Sequence, residues 1–164
     1  MKAWIIATVA TGCLLPVSLF AQHKQFIQAE LLKTLKAKSA KAGDPVKARA
    51  INAVSLPGGV RISGGAVLLG EVRSADPNSL GISFDQVEIS GKTTPLALSI
   101  RAAMMPGGPQ NNVDGVAAQA GSVIGLPGVT LQVDDSPRHT SKFESSGKDL
   151  QLKQGLQLML AMPE

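Results

Sequence analysis

Three side chains that can bind a metal or move a proton lie close together in residues 134–140. Asp134 and Asp135 supply adjacent carboxylates, and His139 supplies an imidazole a few residues later. Carboxylate and imidazole groups ligate zinc or calcium, and the same groups act as general acids and bases. A polar run that contains Pro137 is also typical of a solvated hairpin connection. The hairpin connection is the favoured interpretation, and a metal or acid–base site is its alternative.

The rest of the sequence lacks the patterns of common catalytic sites. Serine is plentiful, but none stands in the Gly-x-Ser-x-Gly elbow that marks a hydrolase nucleophile. Gly58-Gly59 and Gly107-Gly108 are not followed by the Lys and Ser/Thr of a phosphate-binding loop. No second histidine or cysteine stands near His139 to support a zinc site. The sequence therefore predicts no catalytic, cofactor-binding or metal residue, and it leaves open a hydrolase that uses an unrecognised serine or the residue 134–140 run.

Residues 1–21 have the pattern of an export signal. Lys2 supplies a positive tip, residues 3–21 are uncharged and mostly apolar, and Ala21 places a small residue before a polar run. A charged tip, an apolar stretch and a small residue at the cut are typical of a secretory signal peptide. We expect cleavage after Ala21, which leaves residues 22–164 as a single periplasmic or secreted domain.

Two other interpretations of this segment stay open. Residues 3–21 come close to the roughly 20 residues that span a bilayer, so an uncleaved segment would tether the domain to the membrane. Leu19 favours this anchor, because it is larger than the residue preferred two positions before a cut. Cys13 would be the modified residue of a lipoprotein, although Ala10 stands where such signals prefer a larger aliphatic side chain.

Composition limits the partners that the domain can bind. The net charge is only +4 and aromatic residues make up 3% of the chain, so nucleic-acid binding is not expected. Few aromatic rings also argue against a sugar-binding platform. Cys13 is the one cysteine, so a domain cleaved after Ala21 has neither disulfides nor thiol chemistry. We expect a protein partner in the envelope or self-association, no cofactor, and membrane contact only through residues 3–21 if that segment is not cleaved.

Alternating apolar and polar residues between turn signals predict a β domain. The clearest alternation is in residues 95–101, and residues 46–51 and 129–133 repeat it. Glycine- and proline-containing turns separate such runs: Gly43-Asp44-Pro45, Pro57-Gly58-Gly59, Gly64-Gly65, Asp76-Pro77-Asn78, Ser90-Gly91-Lys92 and Ser146-Gly147-Lys148. The expected fold is all-β: a small barrel or sandwich of about seven or eight short antiparallel strands after an N-terminal signal helix.

Three strand predictions are more specific. In residues 80–90 the alternation slips by one position, which predicts a bulge near Asp85-Gln86. Residues 66–72 are apolar on both faces, as in a central strand. Residues 150–160 form two strand segments around Lys153-Gln154-Gly155, where a tight turn and a glycine bulge both fit.

Two segments are ambiguous. Residues 25–41 are helical by propensity, yet alternation favours a strand over residues 26–35 and then a turn. Its lysines, Lys33, Lys36, Lys38 and Lys41, fit a solvated loop, with a binding patch as the alternative. Residues 105–128 lack clear periodicity and are interpreted as a long, mobile Gly/Pro-rich loop, with a partner-binding or membrane-touching lobe as the alternative.

Several fragments together resemble one known family, and the likeness covers about two thirds of residues 22–164. They are residues 26–35, Ala42-Gly43-Asp44, Leu56-Pro57-Gly58-Gly59, and residues 66–72, 80–89, 95–101 and 152–158. This order of strands and glycine turns is similar to the periplasmic β-barrel domain of TrbI/VirB10-type components of conjugation and type IV secretion. The resemblance implies a barrel in a secretion complex. A Pro-rich linker precedes the barrel in that family, whereas here the barrel-like region follows residues 1–21 at once, so the architecture is better supported than the transport function.

Taken together, these patterns favour an exported, non-enzymatic β domain that acts as an interaction or structural module of the envelope. A secretion-complex subunit and a hydrolase are the alternatives.

Overall fold

The computed structural model describes residues 25–107, 121–134, 138–147 and 149–163. These residues form β-strands and no helix. The predicted signal segment and its cleavage point after Ala21 lie outside the described residues. The strands are β1 (Ile27–Leu31), β2 (Leu35–Lys36), β3 (Pro45–Ala50), β4 (Val54–Ser55), β5 (Arg61–Ile62), β6 (Val67–Asp76), β7 (Ser79–Ile89), β8 (Lys92–Met104), β9 (Ser122–Ile124), β10 (Val129–Val133), β11 (Ser141–Ser145), β12 (Gln151–Leu152) and β13 (Gln157–Ala161).

Six antiparallel strands close into a barrel. The order around the wall is β7, β6, β3, β1, β13 and β8, and β7 pairs with β8 to complete the ring. A closed ring leaves no free sheet edge along the stretch where all six strands are paired. The predicted all-β barrel is therefore confirmed, and the sandwich alternative is wrong.

The strand β1 settles the ambiguity of residues 26–35 in favour of a strand. Ile27, Ala29 and Leu31 are buried on the inner face, and β1 pairs with β3 on one side and β13 on the other. Continued alternation would turn Lys33 toward the interior, where an unpaired ammonium group is very costly. The strand ends before it, and Lys33 is exposed.

Aliphatic side chains, alanines among them, fill most of the barrel interior. Ala29, Ala48 and Ala50 are at most 2% exposed, and Phe84 and Phe143 are the largest side chains that are fully buried. The diameter of a barrel grows with its number of strands, so six strands enclose a narrow space. The low aromatic content of the chain therefore suits the size of its core.

The predicted bulge in β7 is confirmed. In the pair with β6, the two steps of β7 from Phe84 to Gln86 lie opposite the single step from Gly70 to Leu69, and the register with β8 also shifts at this point. Phe84 and Val87 are both buried, although an uninterrupted strand would turn them to opposite faces. One extra residue in β7 thus returns the apolar side chains to the interior.

A glycine in β6 lies against the same part of β7. The register between β6 and β7 shifts between Leu69 and Gly70. A Cβ atom on Gly70 would lie 2.1 Å from the backbone oxygen of Ser83 and 2.9 Å from the ring of Phe84. The backbones approach so closely that only glycine fits here.

The prediction that residues 66–72 belong to a central strand is confirmed, although only one face of that strand is fully buried. The strand β6 is central, since β3 and β7 pair with its two edges. Leu68 and Val72 are fully buried, but Leu69 and Glu71 on the other face are partly exposed. A barrel wall has only one interior face, so the outer face of β6 meets solvent.

The strands β7 and β8 diverge at a point that we call the fork. Beyond the β7–β8 pair, the first half of β7 pairs with β11, with Ile82 opposite Ser141. The far half of β8 pairs with β9 in parallel, and β10 extends the sheet beyond β11. The main sheet of the described residues thus has nine strands rather than seven or eight, and β9 lies within the predicted loop of residues 105–128, of which 108–120 are outside the described residues.

The connection between β12 and β13 is a tight turn. The backbone N–H of Leu156 donates to the carbonyl of Lys153 at 3.1 Å, and Gly155 has a φ of +84°. Glycine at the third position of a four-residue turn with positive φ is typical of a type II turn. The tight turn is therefore the correct alternative for Lys153-Gln154-Gly155.

We expect Gly70→Ala to lower the free energy of unfolding by about 3 kcal/mol, because the new methyl group must displace backbone atoms of β7. Urea unfolding followed by circular dichroism measures this change. Gly147→Ala is the matched control, since a Cβ there meets nothing within 4 Å and Gly147 has no positive φ. Equal stability of the two variants would contradict the close approach.

Candidate functional site

The residues considered as an alternative acid–base or metal site stand in the hairpin connection between β10 and β11. Asp134 is exposed just after β10, His139 stands just before β11, and Asp135 is outside the described residues. His139 has a left-handed backbone with a φ of 47°, and its Nδ1 is buried without a hydrogen-bond partner in the part of the chain that the structure describes. Among those same residues, no three His, Cys, Asp or Glu side chains are grouped to hold a metal ion.

At the fork, a serine hydroxyl of β11 forms hydrogen bonds with the backbone of β8. The Oγ atom of Ser141 accepts a hydrogen bond from the N–H of Ile100 at 2.8 Å and donates one to its carbonyl at 3.2 Å. Ser141 is fully buried. The side chain therefore satisfies both backbone groups of Ile100 at the level where β7 has left β8.

We expect Ser141→Ala to lower the free energy of unfolding by about 1–3 kcal/mol, because Ile100 keeps two buried polar groups without a partner. Chemical unfolding of the full chain measures it. Ser55→Ala, at an exposed strand position, should change stability by a few tenths of a kcal/mol at most. A Ser141→Ala variant as stable as the parent would show that water replaces the hydroxyl.

Basic residues gather on the loops at one end of the barrel. We call Lys33, Lys36, Lys38, Lys41 and Lys153 the lysine-rich end. All five are exposed. Four of them were visible in the sequence as a cluster, whereas Lys153 stands far away along the chain and is added by the fold.

Backbone contacts bring Lys153 beside Lys33. The N–H of Gly155 donates to the carbonyl of Leu31 at 2.8 Å, and the N–H of Gln154 donates to Oγ1 of Thr34 at 3.0 Å. The turn before β13 thus packs on the turn after β1. No local sequence signal predicts this contact, because it joins residues 120 positions apart.

The loop of residues 36–44 is held by further hydrogen bonds. Ala37 N–H donates to the carbonyl of Leu150 at 2.9 Å, and Gly43 N–H donates to the carbonyl of Val72 at 2.7 Å. Within the loop, the Asp44 carboxylate accepts a hydrogen bond from the N–H of Lys41 at 2.8 Å. The lysine side chains therefore extend from a fixed backbone.

A groove of about 430 Å³ runs along this loop. Its volume is within the usual range of ligand sites. Two lysines, two hydroxyl side chains, one carboxylate and three apolar side chains line it: Lys33, Thr34, Leu35, Lys36, Ser39, Ala40, Asp44 and Pro45. The groove thus offers positive charge and hydroxyl groups, with one carboxylate near its edge at the start of β3.

Several basic side chains on the barrel wall have acidic partners. Arg49 pairs with Glu30, and Arg73 lies 2.9 Å from a carboxylate oxygen of Asp85. On β11, which extends the sheet beside the wall, Nζ of Lys142 lies 2.6 Å from a carboxylate oxygen of Glu144. The hydrogen bond and the charge of Glu144 raise the pKa of Lys142. These partners neutralise much of the charge on the wall.

The lysine-rich end differs in this respect. Lys38 lies 3.5 Å from a carboxylate oxygen of Asp149, and both side chains are well exposed, so the pair is weak. Lys33, Lys36, Lys41 and Lys153 form no ion pair with any other described residue. Unpaired positive charge is therefore concentrated at this end.

A second groove, of about 340 Å³, lies at the opposite end beside the start of β1. Asn52 shapes it: its Oδ1 accepts from the N–H of Gln28 at 2.8 Å, and its Nδ2 donates to the carbonyl of Phe26 at 3.3 Å. Asn52 thereby extends the hydrogen bonding of β1. The polar side chain at this groove is thus explained by its role in holding the strand.

Comparison with known proteins adds no family to this description. No protein-family model matches the chain, and no curated protein matches its sequence. In the described ranges, no helix is both long and apolar enough to cross a membrane.

Proposed function

We propose that the protein is an exported, non-enzymatic module of the cell envelope whose closed barrel presents a binding surface to another protein. The observation that carries this proposal is the lysine-rich end. Neighbouring positive charges repel one another and lower the stability of the compact state. A fixed cluster of unpaired lysines is therefore better explained by binding than by folding.

Export is the part of the proposal that concerns residues 1–21. We expect cleavage after Ala21, so that the periplasmic or secreted form begins at Gln22. Cell fractionation followed by mass spectrometry of the intact protein measures both the compartment and the new N-terminus. Retention of residues 1–21 in a membrane fraction would replace the cleaved signal with an anchor, and a cytoplasmic full-length chain would contradict export.

The interaction itself is tested in the native envelope. Chemical cross-linking in cells, followed by purification, should recover the protein in one reproducible complex of defined size. The proposal expects a complex to form without any catalytic turnover. A strictly monomeric protein that hydrolyses envelope substrates would overturn the proposal in favour of a hydrolase, with His139 the first residue to replace.

A second candidate is a subunit of a TrbI/VirB10-like secretion complex. The closed barrel favours it, because the resemblance of the strand and turn order implies that architecture. Such subunits work as rings, so this candidate expects ring-sized oligomers in size-exclusion chromatography with light scattering. A monomer at high concentration would count against it and leave the first proposal standing.

A further inference from the structure

We propose that the groove at the lysine-rich end binds an acidic, extended polypeptide segment of the partner, whose carboxylates meet Lys33 and Lys36. This inference rests on the proposed function and names the chemistry of the partner. Three features support it: the volume of the groove, the positive charge around it and the hydrogen bonds that hold its backbone.

The backbone around the groove is fixed before any ligand arrives. The loop of residues 36–44 is anchored to Leu150 and Val72, and the turn at Gln154 is anchored to Thr34. A rigid site loses little conformational entropy when it binds. Long lysine side chains on a rigid base can then adjust to the spacing of carboxylates along an extended chain.

Charge selects an anionic ligand for this site. Lys33 and Lys36 line the groove, Lys41 is in the same loop of residues 36–44, and Lys153 stands on the adjacent turn. Asp44 is the acidic member of the lining, and its carboxylate already accepts a hydrogen bond from the N–H of Lys41. The remaining charge is positive, which accelerates the approach of an acidic segment.

The shape and chemistry of the surface favour a polypeptide over other anions. A groove is concave, whereas a bilayer presents a broad plane of headgroups. Large apolar side chains that would insert into a bilayer are not exposed at this end; among the described residues, Ile51 is the large hydrophobic side chain that is exposed, and it lies at the opposite end. No aromatic ring lines the groove, so nucleic-acid bases have no stacking partner there.

The experiment uses the purified full chain and a dye-labelled poly-glutamate peptide, with binding followed by fluorescence anisotropy. We expect saturable binding that weakens as salt rises, because counterions screen exposed charges over about 8 Å at physiological ionic strength. The double variant Lys33→Glu/Lys36→Glu should weaken binding at least tenfold. Both side chains are exposed, and an unchanged circular dichroism spectrum would show that the barrel still folds.

The matched control is Arg61→Glu/Lys92→Glu. These two exposed cations lie at the opposite end of the barrel, and their reversal changes the net charge by the same amount. The control should change the affinity by less than twofold. An equal loss in both double variants would show that net charge alone attracts the peptide, and it would overturn the groove as the site.

Vesicles that contain phosphatidylglycerol provide a second arm. Binding of vesicles but not of poly-glutamate, lost in Lys33→Glu/Lys36→Glu, would overturn the polypeptide in favour of a lipid surface.

The complex cross-linked in cells separates this inference from the proposed function. A complex that forms equally well with the Lys33→Glu/Lys36→Glu variant leaves the proposed function intact and overturns the groove, whereas no complex with the parent chain overturns the proposed function itself.

Discussion

The pairing of β7 with β8 is the interaction on which the barrel depends, because it joins the two ends of the six-stranded wall. That pairing covers only part of each strand. It works because the extra residue near Gln86 restores the inward direction of apolar side chains, and because Gly70 lets β6 approach the backbone at Ser83. Beyond this level the two strands separate, and the hydroxyl of Ser141 satisfies the Ile100 backbone that β7 no longer reaches. Along its length, β7 changes its partner from β8 to β11. The part paired with β8 closes the barrel, and the part paired with β11 opens the fork.

Closure also determines where charge can be placed. Inner positions of the wall are apolar, so charged side chains are confined to the outer face and to the loops. On the outer face, pairs such as Arg49 with Glu30 neutralise opposite charges on adjacent strands. The loops at the lysine-rich end have fewer acids, and their backbones are fixed by contacts with Leu31, Leu150 and Val72. The same hydrogen bonds that finish the end of the barrel therefore hold several lysines close together.

The sequence predicted the structure well where apolar and polar residues alternate because every second side chain is buried. It predicted the β class, the strand β3 and the bulge in β7, since each follows from burying every second side chain. It did not predict β11, because Phe143 is its one large apolar residue and serine stands at both ends of the strand. The fork was equally hidden: hydrogen bonding between a serine side chain and a distant backbone leaves no periodic signal. At the lysine-rich end the cluster of residues 33–41 was visible, but the approach of Lys153 was not, because the hydrogen bond from Gly155 to Leu31 joins distant parts of the chain.

The placement of β1 between β3 and β13 has a consequence for the time course of folding. One edge of β1 can pair as soon as β3 has been synthesised, while the other must wait for Gln157–Ala161. Contacts between residues so distant in the chain form slowly. Until they form, the nascent sheet has an open edge that can pair with other chains and aggregate. A chain with this strand order therefore exists as an incomplete sheet until Gln157–Ala161 pair with β1, and a binding factor that shields β1 until then would raise the yield of closed barrels.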